Sequence, residues 1–193
     1  MRHSSSMILA TRSSPPATLR TERLAGRPFR REDWLLVHAL QSDPRTGAWL
    51  RGPHLPPCED RSQTIAARFA EAWAADGLGP YVWRAGVRDV GYAGLRRSRL
   101  PGGGELEVLW AILPEHQGRG YATEAAQAAI DADGRGVGLV SWTTPENRAS
   151  IRVMEKLGLR YDCDLVWADQ PHVVYRRPAG GEPGDDGARL FDG

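Results

Sequence analysis

Leu113-Pro114-Glu115-His116-Gln117-Gly118-Arg119-Gly120-Tyr121-Ala122-Thr123-Glu124-Ala125 carries an apolar strand through a glycine-containing turn directly into a helix. Gly118 and Gly120 permit positive φ and let a ligand approach the backbone closely. The first free N–H groups of the helix, and the positive end of its dipole, point to the same place. That geometry suits a phosphate, and a diphosphate best. A glycine pair before a helix is also the pattern of an ordinary tight turn, so the turn does not decide the matter alone. Two other phosphate motifs are absent: no Gly-Lys-Ser/Thr closes a P-loop, and no full Gly-x-Gly-x-x-Gly opens a dinucleotide fold.

Outward from this turn the chain reads as a mixed α/β domain. Tyr121 to Ala132 is expected as a helix, because Ala122, Ala125, Ala126, Ala129 and Ile130 recur at three- and four-residue spacing and are small enough to pack close to a sheet. Before the turn, Tyr81 to Val87 and Val90 to Arg97 read as a hairpin joined at Arg88 and Asp89, and Glu105 to Leu113 as the third strand of a meander. After it come a strand at Val137 to Thr143 and a helix at Pro145 to Leu157 stopped by Gly158. Leu159 to Tyr161 opens a last antiparallel pair that His172 to Arg176 closes, with its turn at Asp169, Gln170 and Pro171. Upstream, a first strand is expected at Leu19 to Arg27, a helix from Asp33 ending before Pro44, and a second helix from Ser62 to Ala75 capped by Gly77. Gly47 to Pro57 reads as the longest irregular stretch inside the domain, and such loops often border a cleft.

With 193 residues the chain suits one domain, expected over residues 19–177, between a Ser- and Pro-rich leader at 1–18 and a Gly-, Asp- and Pro-rich tail at 178–193, both expected as disordered. Its 25 Lys and Arg against 24 Asp and Glu leave a formal charge of +1, which supplies no field to gather nucleic acid or an anionic membrane. No apolar stretch approaches the roughly 20 residues that cross a bilayer, so a cytoplasmic protein is the default expectation. Cys58 and Cys163 are too few for a disulfide framework, and neither pairs with histidines at metal-ligand spacing, so no metal is expected. Oligomeric state is left open.

Gln117, Gly120 and Ala122 fill the signature Gln/Arg-x-x-Gly-x-Gly/Ala, and in this the chain resembles the GNAT N-acetyltransferase superfamily. A second block, Pro145 to Leu159, looks like that family's Asn-x-x-Ser/Ala helix ending in Lys-x-Gly-Phe, with Asn147, Ser150, Lys156 and Gly158 at the matching positions. Thr21-Glu22-Arg23-Leu24 with Arg27-Pro28-Phe29 is similar to the opening strand of the branch containing the ribosomal-protein N-terminal acetyltransferases. The chain departs from the pattern at Gly26, where a Leu is usual, and in its short Asp133 to Gly136 connector. The resemblance implies an α/β fold with a mixed, mostly antiparallel sheet flanked by helices in the order β-α-α-β-β-β-α-β-α-β-β. It also implies acetyl-CoA as cosubstrate and an amine acceptor, either a protein N-terminus or a small molecule.

Carried onto this chain, the resemblance implies that Gln117, Gly118, Arg119, Gly120, Tyr121 and Ala122 hold the CoA pyrophosphate. It places Ile112 and Leu113, at the end of the preceding strand, along pantetheine, and Asn147 and Ser150 on the CoA arm. Helix capping is an equally simple role for Asn147. Glu107 matches a family Glu at the start of the strand and is the candidate general base; a solvated strand carboxylate is the competing interpretation. Glu115 and Glu124 are weaker candidates, the first beside the phosphate site and the second a first-turn acid favoured by the helix dipole. Trp49 is the candidate substrate contact. Met154 stands where many members carry a thiolate-protonating Tyr, and a thioether cannot donate a proton. Tyr121 lies in the turn, and Tyr161 and Tyr175 match no acid position. A noncatalytic acyl-CoA-binding module is the rival interpretation; a hydrolase is disfavoured because no Gly-x-Ser-x-Gly elbow occurs.

Overall fold

The computed structural model describes residues 17–52, 54–100 and 104–180. Most of the expected leader and tail therefore lies outside the described residues. Eight strands form one sheet in the order β1-β2-β3-β4-β5-β6-β8-β7, antiparallel throughout except for the parallel pair β5 and β6. They are β1 (Leu19–Arg20), β2 (Ala25–Pro28), β3 (Pro80–Ala85), β4 (Arg88–Arg97), β5 (Leu106–Ile112), β6 (Leu139–Thr143), β7 (Arg160–Trp167) and β8 (Gln170–Arg177). The helices are α1 (Trp34–Ser42), α2 (Pro44–Arg51), α3 (Glu59–Asp76), α4 (Tyr121–Asp133) and α5 (Arg148–Lys156).

Strand alternation gives the sheet two apolar faces. One receives Val37 and Leu40 of α1 and Ala66 and Phe69 of α3, packed on Val82 and Tyr92. Phe29 meets Phe69 and Tyr92 edge-on there, at ring separations of 5.2 and 5.9 Å. On the other face, the fully buried Ala125 and Ala126 of α4 lie against Trp83, Val90 and Val108, with Met154 of α5 and Leu157, which caps that helix, closing the layer. Small side chains let α4 sit close to the strands, as its spacing suggests. None of the described helices is long and apolar enough to cross a membrane.

Several elements differ from the sequence expectation. The expected first strand is two strands, because Thr21 folds the chain back: its N–H donates to the Leu24 carbonyl at 2.9 Å and its Oγ1 accepts from the Leu24 N–H at 2.9 Å. The expected loop from Gly47 to Pro57 begins instead with α2. Pro44 ends α1 but also occupies the first turn of the next helix, whose N-cap, Asp43, accepts from Arg45 N–H at 2.8 Å. Gly47 allows the two helices to meet, since a Cβ there would fall 2.2 Å from the Gln41 carbonyl oxygen. α3 starts at Glu59, ahead of Ser62, and α5 starts at Arg148 because Asn147 is its cap. The last hairpin turns at Ala168 and Asp169, both at positive φ (50° and 58°), which is the two-residue geometry that matches strand twist. That places the turn ahead of Gln170 and Pro171, which belong to β8.

Candidate active site

β5 and β6 run together only at Leu106 with Leu139 and Glu107 with Val140. Beyond that point the Ser141 hydroxyl donates to the Val108 carbonyl at 2.9 Å, and β6 continues along β8. The strands therefore part, opening a cleft of about 1000 Å³ that runs past Glu107, Trp110, Gly120 and Asn147. Leu106 N–H points toward β6, donating to Gly138 at 2.9 Å, whereas Leu113 N–H points toward β4, donating to Val90 at 2.9 Å. By alternation the N–H and carbonyl of Trp110 and the N–H of Ile112 face the opening. The Ile112 carbonyl accepts from Gln117 Nε2 at 2.8 Å, which fixes the turn to the strand. Leu113 differs from its neighbour: its carbonyl accepts from His116 N–H at 2.8 Å, so both of its backbone groups are already bonded.

At the end of β5 the chain passes through a short 3-10 segment, Pro114–His116, into the glycine turn. Gly118 and Gly120 take φ of 74° and 80°, in the left-handed region. Nothing lies within 4 Å of where a Gly118 Cβ would stand. From Gly118 to Thr123, six consecutive N–H groups donate to no acceptor among the described residues; the first bond of the helix is Glu124 N–H to the Gly120 carbonyl at 3.1 Å. This row of free donors at a helix N-terminus fits a diphosphate. Gln117, Gly118, Gly120, Tyr121 and Ala122 line the cleft, whereas Arg119 does not and instead gives its carbonyl to Arg23. Asn147 takes the expected capping role: Oδ1 accepts from Ser150 N–H at 3.2 Å and Nδ2 donates to Thr143 Oγ1 at 3.0 Å, and both Asn147 and Ser150 border the cleft.

At the opposite end lies Glu107, 5% exposed. Arg96, directly across on β4, donates to both of its oxygens, from Nε at 2.9 Å and from Nη2. Trp49 reaches the cleft from α2 rather than from a loop, and is 47% exposed. Met154 is fully buried at the cleft floor. Tyr161 and Tyr175 pack edge-on at 5.9 Å on the last hairpin and do not line the cleft.

Some contributors escaped the sequence reading. Arg23 closes one side of the glycine turn: it hydrogen-bonds Glu124 through Nε (2.7 Å), donates to the Arg119 carbonyl (2.9 Å) and lies over the Tyr121 ring (5.0 Å). Thr21 Oγ1 also donates to Glu124. Burial raises the Glu124 carboxyl, but the hydrogen bonds from Thr21 and Arg23 outweigh it and hold the group below its ordinary value. Tyr92 lines the cleft, and burial pushes its phenol up to about 12. Three buried polar atoms bordering the cleft, His116 Nδ1, Trp142 Nε1 and Thr144 Oγ1, have no hydrogen-bond partner among the described residues. A polar ligand would supply those partners. Arg23 was visible as part of a matching motif, but its contact with residues about a hundred positions away carries no local signal.

Comparison with known proteins gives the same picture. The model of the acetyltransferase (GNAT) domain family matches residues 23–160. The chain is 27% identical over 143 residues to the N-acetyltransferase YnaD of Bacillus subtilis, covering 72% of this chain and 81% of YnaD. It is 33% identical over 91 residues to YkkB of the same organism, covering 46% of this chain and about half of YkkB (53%). Among solved structures, an acetyltransferase of Agrobacterium tumefaciens superposes with a TM-score of 0.69 at 31% identity, over 83% of this chain and 93% of that one. A Bordetella pertussis protein assigned to the GNAT family superposes at 0.70 with 26% identity, over 84% and 99%. The fold is also that of RimL, the ribosomal L7/L12 α-N-protein acetyltransferase solved with coenzyme A (15% identity, TM-score 0.66, 85% and 97% covered). It is shared too by AAC(6')-Ib solved with ribostamycin and coenzyme A (16%, 0.67, 81% and 94%). A family model spanning most of the domain, on a sheet parted beside a row of free amides, establishes that this chain belongs to the GNAT acetyltransferase family.

Proposed function

We propose that the protein transfers an acetyl group from acetyl-CoA to a primary amine by direct attack. The observation that carries this reading is the row of six free amides from Gly118 to Thr123 at the end of a parted strand. These amides would hold the diphosphate, with Gln117 bracing the turn against Ile112. Trp110 and Ile112 would pair with the amides of the pantetheine arm, as an added strand pairs with a sheet edge. Bound there, acetyl-CoA would supply an activated acyl group: the N–C bond forms as the C–S bond breaks, the amine gives up a proton, and CoA departs as the thiolate, to be protonated later by water.

Glu107 would take that proton. Arg96 fixes its orientation, and its burial at the point where β5 and β6 part puts it beside the cleft rather than in solvent. Trp49 borders the acceptor side and would contact the amine's carrier. With Met154 in the position of the usual acid, the thiolate leaves unprotonated, which a thiol of pKa about 8.5 tolerates at neutral pH.

One observation favours the binding-only alternative: both Glu107 oxygens already accept from Arg96. Thiol release from acetyl-CoA in the presence of an amine panel separates the two readings. Acceptor-dependent release supports transfer. Tight binding of acetyl-CoA with no release by any amine would overturn it.

A further inference from the structure

The walls of the cleft carry seven cationic side chains among the described residues and a single carboxylate, Glu107. The chain as a whole is nearly neutral at +1, so this concentration is local. Arg152 and Lys156 belong to α5, beside Asn147 and Ser150, and Arg45 is paired with Asp43. Arg96, paired with Glu107, and Arg99, within reach of Arg96, Glu107 and Arg68, collect at the Glu107 end. Arg61 and Arg68 stand seven residues apart on α3, two turns along one face, about 10 Å by helix rise. Arg96 and Arg99 come from the end of β4 and the segment after it.

Arg96 is neutralised by Glu107. Arg68 and Arg99 have no hydrogen bond or ion pair among the described residues, although both line the cleft. Arg99, although exposed, is held below its ordinary proton affinity first by the neighbouring Arg96 charge and then by partial desolvation, with Glu107 opposing and Arg68 adding to the effect. The Arg68 and Arg99 side chains are both exposed at the cleft wall, and like charges gathered on one wall are unfavourable, a penalty that an anion bound beside them removes. That anion is not the CoA diphosphate: Ile112, where the strand meets the glycine turn, is five steps along β5 from Glu107, about 17 Å at strand rise.

We infer that the amine acceptor carries an anionic group, a carboxylate or a phosphate, which Arg68 and Arg99 bind while the amine faces Glu107. The inference rests on the acetyl-transfer reading and narrows it. Polycationic amines would meet uncompensated like charge in this cleft.

The test uses the full chain with acetyl-CoA and peptides beginning Ser-Asp-Asp-Asp, Ser-Ala-Ala-Ala and Ser-Lys-Lys-Lys, together with free glutamate, phosphoethanolamine, spermidine and an aminoglycoside. Anionic acceptors should be used with kcat/KM at least about tenfold above the cationic ones at low salt, and the margin should shrink as salt screens it. Which anionic compound is preferred identifies the source. Arg68→Gln and Arg99→Gln should each raise KM for that compound by about tenfold, as loss of a charge-assisted hydrogen bond does. Arg99→Lys should recover part of the loss, and Arg99→Glu should move the preference toward cationic amines. Thermal stabilisation by acetyl-CoA should be the same in all four variants, which shows that they fold and load. Equal use of the Asp and Lys peptides, or unaltered selectivity in Arg68→Gln/Arg99→Gln, would overturn the inference while leaving acetyl transfer standing. If no amine releases thiol, the transfer reading falls, and calorimetric binding of the same peptides to the CoA-loaded protein decides the charge inference. Acid-selective binding that depends on Arg99 would support it, and its absence would refute it.

Discussion

Replacing Gly120 with Glu should abolish the stabilisation that acetyl-CoA gives the fold. At about a hundred times its Kd, a ligand bound only by the native state adds about 2.7 kcal/mol, and a domain of this size gains about 2–4 °C per kcal/mol, so the wild-type shift should be about 5–10 °C. Gly120 sits at φ 80°, and a Cβ there would meet Arg23 Nη2 at 3.4 Å, an ordinary contact. Any side chain at this position therefore pays for the left-handed backbone, about 1–2 kcal/mol, but is not blocked by its neighbours. Gly120→Ala should accordingly melt lower without ligand and still respond to acetyl-CoA. Gly120→Glu carries the same strain and adds a carboxylate tethered beside the free amides, where it takes the place of the diphosphate. Differential scanning fluorimetry of the three proteins, with and without acetyl-CoA, separates strain from occupancy. Equal ligand shifts in wild type and Gly120→Glu would show that the diphosphate does not bind this turn.

Glu107→Gln should lower turnover by about a hundredfold or more, the range of a lost general base, while calorimetry finds acetyl-CoA affinity unchanged; retained turnover would reduce Glu107 to a partner of Arg96. Activity should rise with pH as the amine loses its proton and then level off, with no fall near about pH 10, in the parent and in Tyr161→Phe and Tyr175→Phe. Tyr92 does not disturb this, because its phenol, pushed up to about 12, keeps its proton throughout. A steep alkaline fall together with a large loss in either variant would give a tyrosine the acid role. Glu124 binds its proton less tightly folded than unfolded, so its stabilising contribution is complete above the ordinary value of 4.5 and is lost as pH falls through the lower folded value. Urea midpoints measured across that acid range should fall less steeply for Glu124→Gln than for wild type, and parallel curves would refute the Thr21–Arg23–Glu124 linkage.

The parts legible in the sequence are those with short-range causes. The glycine turn, the small-residue face of α4 and the Gly77 cap each announce themselves within a few residues, and the structure has all three. α2 was hidden because Asp43-Pro44 is at once the end of one helix and the start of the next, and the sequence signal for the stop masked the signal for the start. The divided first strand depends on one threonine hydroxyl folding the chain back. The site's electrostatics depend on tertiary pairing. Arg96 meets Glu107 only once the register of the β4–β5 hairpin is set, and Arg23 reaches Glu124 across most of the domain. Arg68 and Arg99 are ordinary surface residues in the sequence, and only the closing of α3 over the sheet brings them to one cleft.

Transfer of acetyl from acetyl-CoA to an amine can be followed by incubating the protein with isotope-labelled acetyl-CoA and cell extract, then searching by mass spectrometry for labelled products. A labelled N-acetyl compound or N-terminus should form in step with free CoA thiol and be lost in Gly120→Glu. Labelled free acetate as the only product, or tight acetyl-CoA binding with no labelled amine and no thiol released, would contradict it.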